Sequence, residues 1–149
     1  MSLATIRTGL YTTLTACGPY GQAEVSSCDF GILESISGCA VVFHPSGESE
    51  LEPLTFKATN GKVTTLIKWP ISGEVYLRFG GDSQALLSRA WSALDDIRIT
   101  LAKDVTLANS ACFAYLKSIR YDIAEGYDLG GVEFGVVHFM IEAQDIDAG

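Results

Sequence analysis

A chain of 149 residues, 48% hydrophobic and 19% charged, is long enough for one packed core and too apolar to stay disordered, so a single domain over residues 1–149 is expected. Eighteen acidic against ten basic residues leave a net charge of −8. That balance argues against a grip on nucleic acid, which needs clustered Lys and Arg to neutralise phosphates.

The first predicted element is a helix over residues 3–17, where Leu3, Ile6, Leu10, Leu14 and Cys17 recur at spacings of three and four. Gly18 and Pro19 end it. No apolar run there or elsewhere approaches the roughly 18 residues that span a bilayer. The opening MSLATIRTGLYTTL places threonines and an arginine where a signal peptide is continuously apolar. The expectation is a chain made in the cytoplasm, without membrane insertion.

From Ala23 to Phe79 the period shifts towards two. Residues 38–45, GCAVVFHP, read as a short buried strand. Residues 46–53, SGESELEP, carry three glutamates and are expected to be a loop. Asn60-Gly61 lies between β-branched runs and tolerates the positive φ of a two-residue hairpin turn. Lys57, Asn60, Gly61 and Lys62 form the polar tip of that hairpin, which is expected to project and to touch a protein partner, because a two-stranded arm is marginal alone. Trp69-Pro70 is expected to close the strand, since proline cannot donate to a ladder, and residues 74–79, EVYLRF, read as a further strand.

A longer helix follows Gly80 and Gly81, with Asp82 or Ser83 as its cap. Leu87, Ala90, Trp91, Leu94, Ile97 and Leu101 form its predicted core stripe, with Arg89, Asp95, Asp96 and Lys103 outside. Two terminal strands are expected at about 111–124 and 132–143, joined by the polar EGYDLGG and followed by a short acidic tail. This order predicts an α+β fold: a mainly antiparallel sheet with two principal helices packed on it and one projecting hairpin.

Chemistry is sparse. RFGGDS and DLGGVEFG match neither a phosphate-binding loop nor a dinucleotide fingerprint, and read as turn glycines. No G-x-S-x-G elbow occurs. His138 lies in the apolar GVVHFMI and is expected to be a packed histidine, while His44 before Pro45 is the better-placed base. Cys17, Cys28, Cys39 and Cys112 show no C-x-x-C pair and no nearby histidine, so they are expected to be buried, reduced thiols. No catalytic, cofactor-binding or metal residues are assigned, and no cofactor is expected.

The helix ending LAKD, the corner DVTL, the strand FAYLKSIRYDI, a polar hairpin ending in GG and then VEFGVVHFMIEA resemble the tail terminator and tail-completion proteins of long-tailed bacteriophages. The opening LATIRTGLYTTL looks like their first helix. The order of elements agrees over most of the chain, the local motifs over about its last sixty residues. The corner departs from the family's Thr-Leu-Gly-Gly, since Ala108 and Asn109 follow Leu107, and the only proline of the first long strand is Pro45 at its end. Neighbouring neck and connector families share the outline.

The resemblance implies a non-enzymatic virion protein of the tail, assembled in the host cytoplasm. Its copies would form a ring, a hexamer on the tail, that caps the tail tube protein and meets a head-completion or connector protein. DNA would pass through without specific binding. Two other readings remain: a small α+β domain binding a ligand or protein partner, and a small hydrolase using His44.

Overall fold

The computed structural model describes residues 2–15, 24–26, 39–54, 64–106, 113–129 and 131–147. Helix α1 spans Leu3–Thr15. Ile6, Leu10 and Leu14 are fully buried, with Leu3 packed beside them, so the predicted stripe is the buried one. Thr5, Thr8, Thr12 and Thr15 face outward, while Thr13 is buried. Thr8 and Thr12 donate their hydroxyls to carbonyls four residues back, both at 3.1 Å, which weakens a helix that packing must then hold. Cys17 lies outside the described residues.

The strands are β1 (Glu24–Ser26), β2 (Cys39–Pro45), β3 (Glu50–Pro53), β4 (Thr65–Arg78), β5 (Phe113–Leu129) and β6 (Val132–Asp147), with helix α2 (Ser83–Lys103) between β4 and β5. They form one sheet in the order β1-β2-β4-β6-β5, with β3 also paired to β4. β1 runs parallel to β2 and the other pairings are antiparallel. The fold is α+β, with a mainly antiparallel sheet, as the order of elements predicts. Among the described residues no helix is long and apolar enough to cross a membrane.

Strand parity sorts the sheet into two faces. Odd-numbered residues of β4 and β6 (Trp69, Ile71, Val75 and Leu77; Val137, Phe139, Ile141 and Ala143) share one buried cluster with the inner stripes of both helices. Each fully buried Leu, Ile, Val or Phe there contributes about 1.5–3 kcal/mol. Two glycines let this layer close. A methyl group on Gly73 would coincide with the ring of Phe139, which lies across it, and one on Gly135 would come within 2.7 Å of Leu86 Cδ2.

Several expectations need correction. Residues 46–53 are not all loop, because Glu50–Pro53 form β3 against β4. All four are exposed, so polarity does not oppose an edge strand. Pro70 does not end its strand either: β4 continues to Arg78, and residues 74–79 are its second half rather than a separate strand. The Pro70 carbonyl accepts from Ser46 N at 3.0 Å, so the side on which proline lacks a donor faces the gap between β2 and β3.

The stripe of α2 is Leu86, Ala90, Ala93, Leu94, Ile97 and Leu101. Trp91, expected in the core, is 48% exposed. It lies about 100° round the helix from Ala90, and the sheet approaches on the side of the small residues Ala90 and Ala93. Asp96, expected on the solvated face, is half-buried. The terminal strands are longer than the expected 111–124 and 132–143, and Asp145, expected in an acidic tail, sits in β6 at 3% exposure. The Asn60-Gly61 turn, with Lys57 and Lys62, lies outside the described residues. The strands that flank it, β3 and β4, pair antiparallel from Pro53↔Thr65 outward.

Candidate interaction surface

Even-numbered residues of β4 and β6 point away from the helices. At one end of this face Ala40, Val42, Tyr76, Phe134 and Val136 are buried in a second cluster. Towards the other end the face is polar, and the register stacks its residues in rows across the sheet. Val42, Glu74, His138 and Arg120 form one row, His44, Ser72 and Met140 the next, then Pro70, Glu142 and Tyr115, and finally Glu50, Lys68, Gln144 and Phe113.

Glu142 is the hub of this half. Its Oε2 accepts from Tyr115 Oη at 2.5 Å and from Gln144 Nε2 at 2.8 Å, and its Oε1 lies 3.9 Å from Lys117 Nζ. Burial pushes its carboxyl up, but the two hydrogen bonds and the ammonium groups of Lys117 and Lys68 outweigh that and hold it below the usual glutamate range. The same bond raises Tyr115, whose phenol would have to ionise against the carboxylate it donates to. Lys68 Nζ lies 3.9 Å and 4.0 Å from the carboxylates of Glu50 and Glu52 on β3. Buried Glu74 accepts from Tyr76 Oη at 2.5 Å and faces His138 Nδ1 at 3.9 Å.

His138 is therefore a half-exposed member of this polar face and not the packed histidine expected from its apolar neighbours. Alternation along β6 places Val137 and Phe139 on the opposite side. His44 lies in register with Ser72, but the serine hydroxyl donates to Met140 Sδ at 3.1 Å. Among the described residues no three His, Cys, Asp or Glu side chains are grouped to hold a metal ion. Of the cysteines only Cys39, the first residue of β2, is described.

The corner after α2 is built on Asp104. Its N–H donates to the Leu101 carbonyl at 3.3 Å, and its carboxylate accepts the hydroxyl of buried Thr13 in α1 at 2.9 Å. Thr106 Oγ1 lies 3.4 Å from the same carboxylate, and the Val105 carbonyl accepts from Ala114 N at 2.6 Å. The Asp-x-Thr corner thus clamps both helices to the first residues of β5. Leu107 lies outside the described residues. Beside the clamp, Thr12, Asp96, Thr100, Lys103 and Asp104 line a groove of about 470 Å³. Asp96 Oδ2 is buried there without a hydrogen-bond partner among the described residues. Burial, with the charge of Asp95, raises its carboxyl.

Besides the terminal strand β1, the sheet has edges at β3 and β5. Among the described residues β5 pairs only with β6, and β3 only with β4. Around them Leu51, Leu54, Phe113 and Ile146 are exposed, Leu51 at 66%. The expected contact tip, Lys57, Asn60, Gly61 and Lys62, lies outside the described residues, and the edge strand β3 was expected to be loop. The signal was present as alternating Glu50-Leu51-Glu52.

No family model matches the chain, and no curated protein matches it. Among solved structures it is similar to a sheath/tube terminator of an extracellular contractile injection system, PVC, determined in the extended state by cryo-electron microscopy. The TM-score is 0.50 at 12% identity, over 100% of this chain and 58% of that one. The similarity is one of fold: this chain has a tail terminator-like fold and spans little more than half the terminator's length.

Proposed function

We propose that this protein is a tail terminator, a structural subunit whose copies form a ring, hexameric on the tail, that caps a tail tube. The observation that carries this reading is agreement of the whole fold with a sheath/tube terminator. The helix, corner and hairpin order that resembles phage tail terminators supports it. In a phage the other side of the ring would meet the head-completion or connector protein, and the genome would pass through the hole. The role is mechanical, with no catalytic step.

The test is assembly of the tail genes with and without this one. Loss of the protein is expected to give tubes of unregulated length, and purified protein is expected to appear at tube ends in negative-stain micrographs. Tubes of normal length without it would refute the reading. Within it, the Lys57–Lys62 tip is proposed to touch the tube or a neighbouring subunit, so deleting residues 57–64 should leave the circular dichroism spectrum unchanged and abolish capping. The groove beside Asp96 favours a second reading, a small-ligand domain. That reading expects a compound that raises Tm by several degrees and is displaced by Asp96→Ala, in a protein that never associates with tubes.

A further inference from the structure

β3 and β5 are the two opposite edges of the four-strand portion β3-β4-β6-β5. Successive strands there are antiparallel, so β3 and β5 run in opposite directions. Placing β5 of one copy beside β3 of the next therefore continues the antiparallel alternation without reversing either subunit. A contact of this kind is head-to-tail, and it generates rings where its rotation closes and open filaments where it does not, rather than closed pairs.

The side chains on the two edges are complementary. Glu50 and Glu52 flank Leu51 on β3, with 76% and 61% of their side chains exposed. On β5, Lys117 and Arg120 are 59% and 73% exposed. All four lie on the helix-free face, as the contacts of Lys68 with the two glutamates, of Lys117 with Glu142 and the pairing of Arg120 with His138 require. Leu54 N donates to the Thr64 carbonyl, so by alternation the N–H and C=O of Leu51 point away from β4, towards a neighbour.

We infer that β3 of one copy pairs antiparallel with β5 of the next, centred on Leu51 against Ile119, joining subunits into one continuous sheet. In that register Glu50 meets Arg120, Glu52 meets Ser118 beside Lys117, and exposed Leu51 is covered by half-buried Ile119. The stagger is also one that a closed sheet can adopt. Leu51 and Ile119 lie in rows six residues apart on β6, those of Asp145 and Phe139. Six residues are about 20 Å along a strand, and four strands are about 19 Å across. That stagger corresponds to a tilt of about 45°, at the upper end of the roughly 35–45° found in closed sheets. The bulges after Leu116 and Arg120 leave only a short regular stretch on β5, which suits a partner strand of four residues. The occupant is a second copy of this chain, and the inference rests on the ring reading.

The experiment uses charge reversal, read by native mass spectrometry and by micrographs of the protein with tubes. The Glu50→Lys/Glu52→Lys variant and the Lys117→Glu/Arg120→Glu variant should each need about tenfold or more protein to associate, because like charges then face each other. Mixed in equal amounts they should recover wild-type association, in alternating rings of even subunit number. Their circular dichroism spectra should match the wild type. If both variants assemble normally, or the mixture fails as each does alone, the edge pairing is wrong and the ring reading stands. If the wild type never associates, alone or on tubes, both fall.

Discussion

Gly73 sits in the middle of β4, where glycine is ordinarily unfavourable. Its tolerance comes from Phe139, whose ring occupies the space a side chain would take. Gly73→Ala should force that ring off its rotamer and cost about 1–3 kcal/mol, read as a fall in Tm of roughly 3–10 °C. An unchanged Tm would mean that the ring has room to move. Glu142 gives a prediction of a different kind. Its pKa is depressed in the fold, so the stability it supplies is present above the ordinary glutamate value and is lost as pH falls through the folded one. Urea unfolding of Glu142→Gln should therefore show a deficit at pH 7 that shrinks towards zero below about pH 4. A deficit independent of pH would assign the loss to packing instead.

At the scale of elements, a hydrogen bond ties the two helices beside the core they share. Thr13 donates to Asp104 from a buried position, and Asp104 also ends α2. A hydrogen bond to a charged group contributes about 1.5–3 kcal/mol. Thr13→Val should remove that much, and Asp104→Ala should remove more because it also takes away the carboxylate that Thr106 Oγ1 faces, while the backbone cap to Leu101 stays. A double-mutant cycle by chemical denaturation should give a coupling energy of at least about 1 kcal/mol, and additive effects would show that the clamp is not the joint. The role of the Asp-x-Thr corner could be guessed from its residues, but its partner could not, because Thr13 lies 91 residues away in sequence.

For the molecule as a whole, the charge balance sets what passes over its surface. The polar half of the helix-free face mixes Glu50, Glu52 and Glu142 with Lys68, Lys117 and Arg120. Most of these charges already oppose one another within the subunit. With a net charge of −8, the protein should not shift duplex DNA in a gel at about 0.15 M salt, because few counterions would be released. That suits a ring through which a genome slides. Micromolar duplex binding would overturn the terminator reading and point to a nucleic-acid-binding role.

Local patterning was enough to place both helices, a cap at Asp82 or Ser83, the buried strand β2 and the terminal hairpin, because each depends on periodicity or on a cap within a few residues. It was also enough to predict that duplex DNA is not held, since net charge needs no fold. What it could not decide were the features set by neighbours across the sheet. Pro70 continues a strand because its missing donor faces a gap between two other strands. Trp91 is exposed because the sheet approaches a different side of α2, and His138 belongs to the polar face because its row contains Glu74 and Arg120. Edges, rows and faces are long-range quantities. They arise only when strands far apart in sequence find their register, and the proposed contact between copies is built from them.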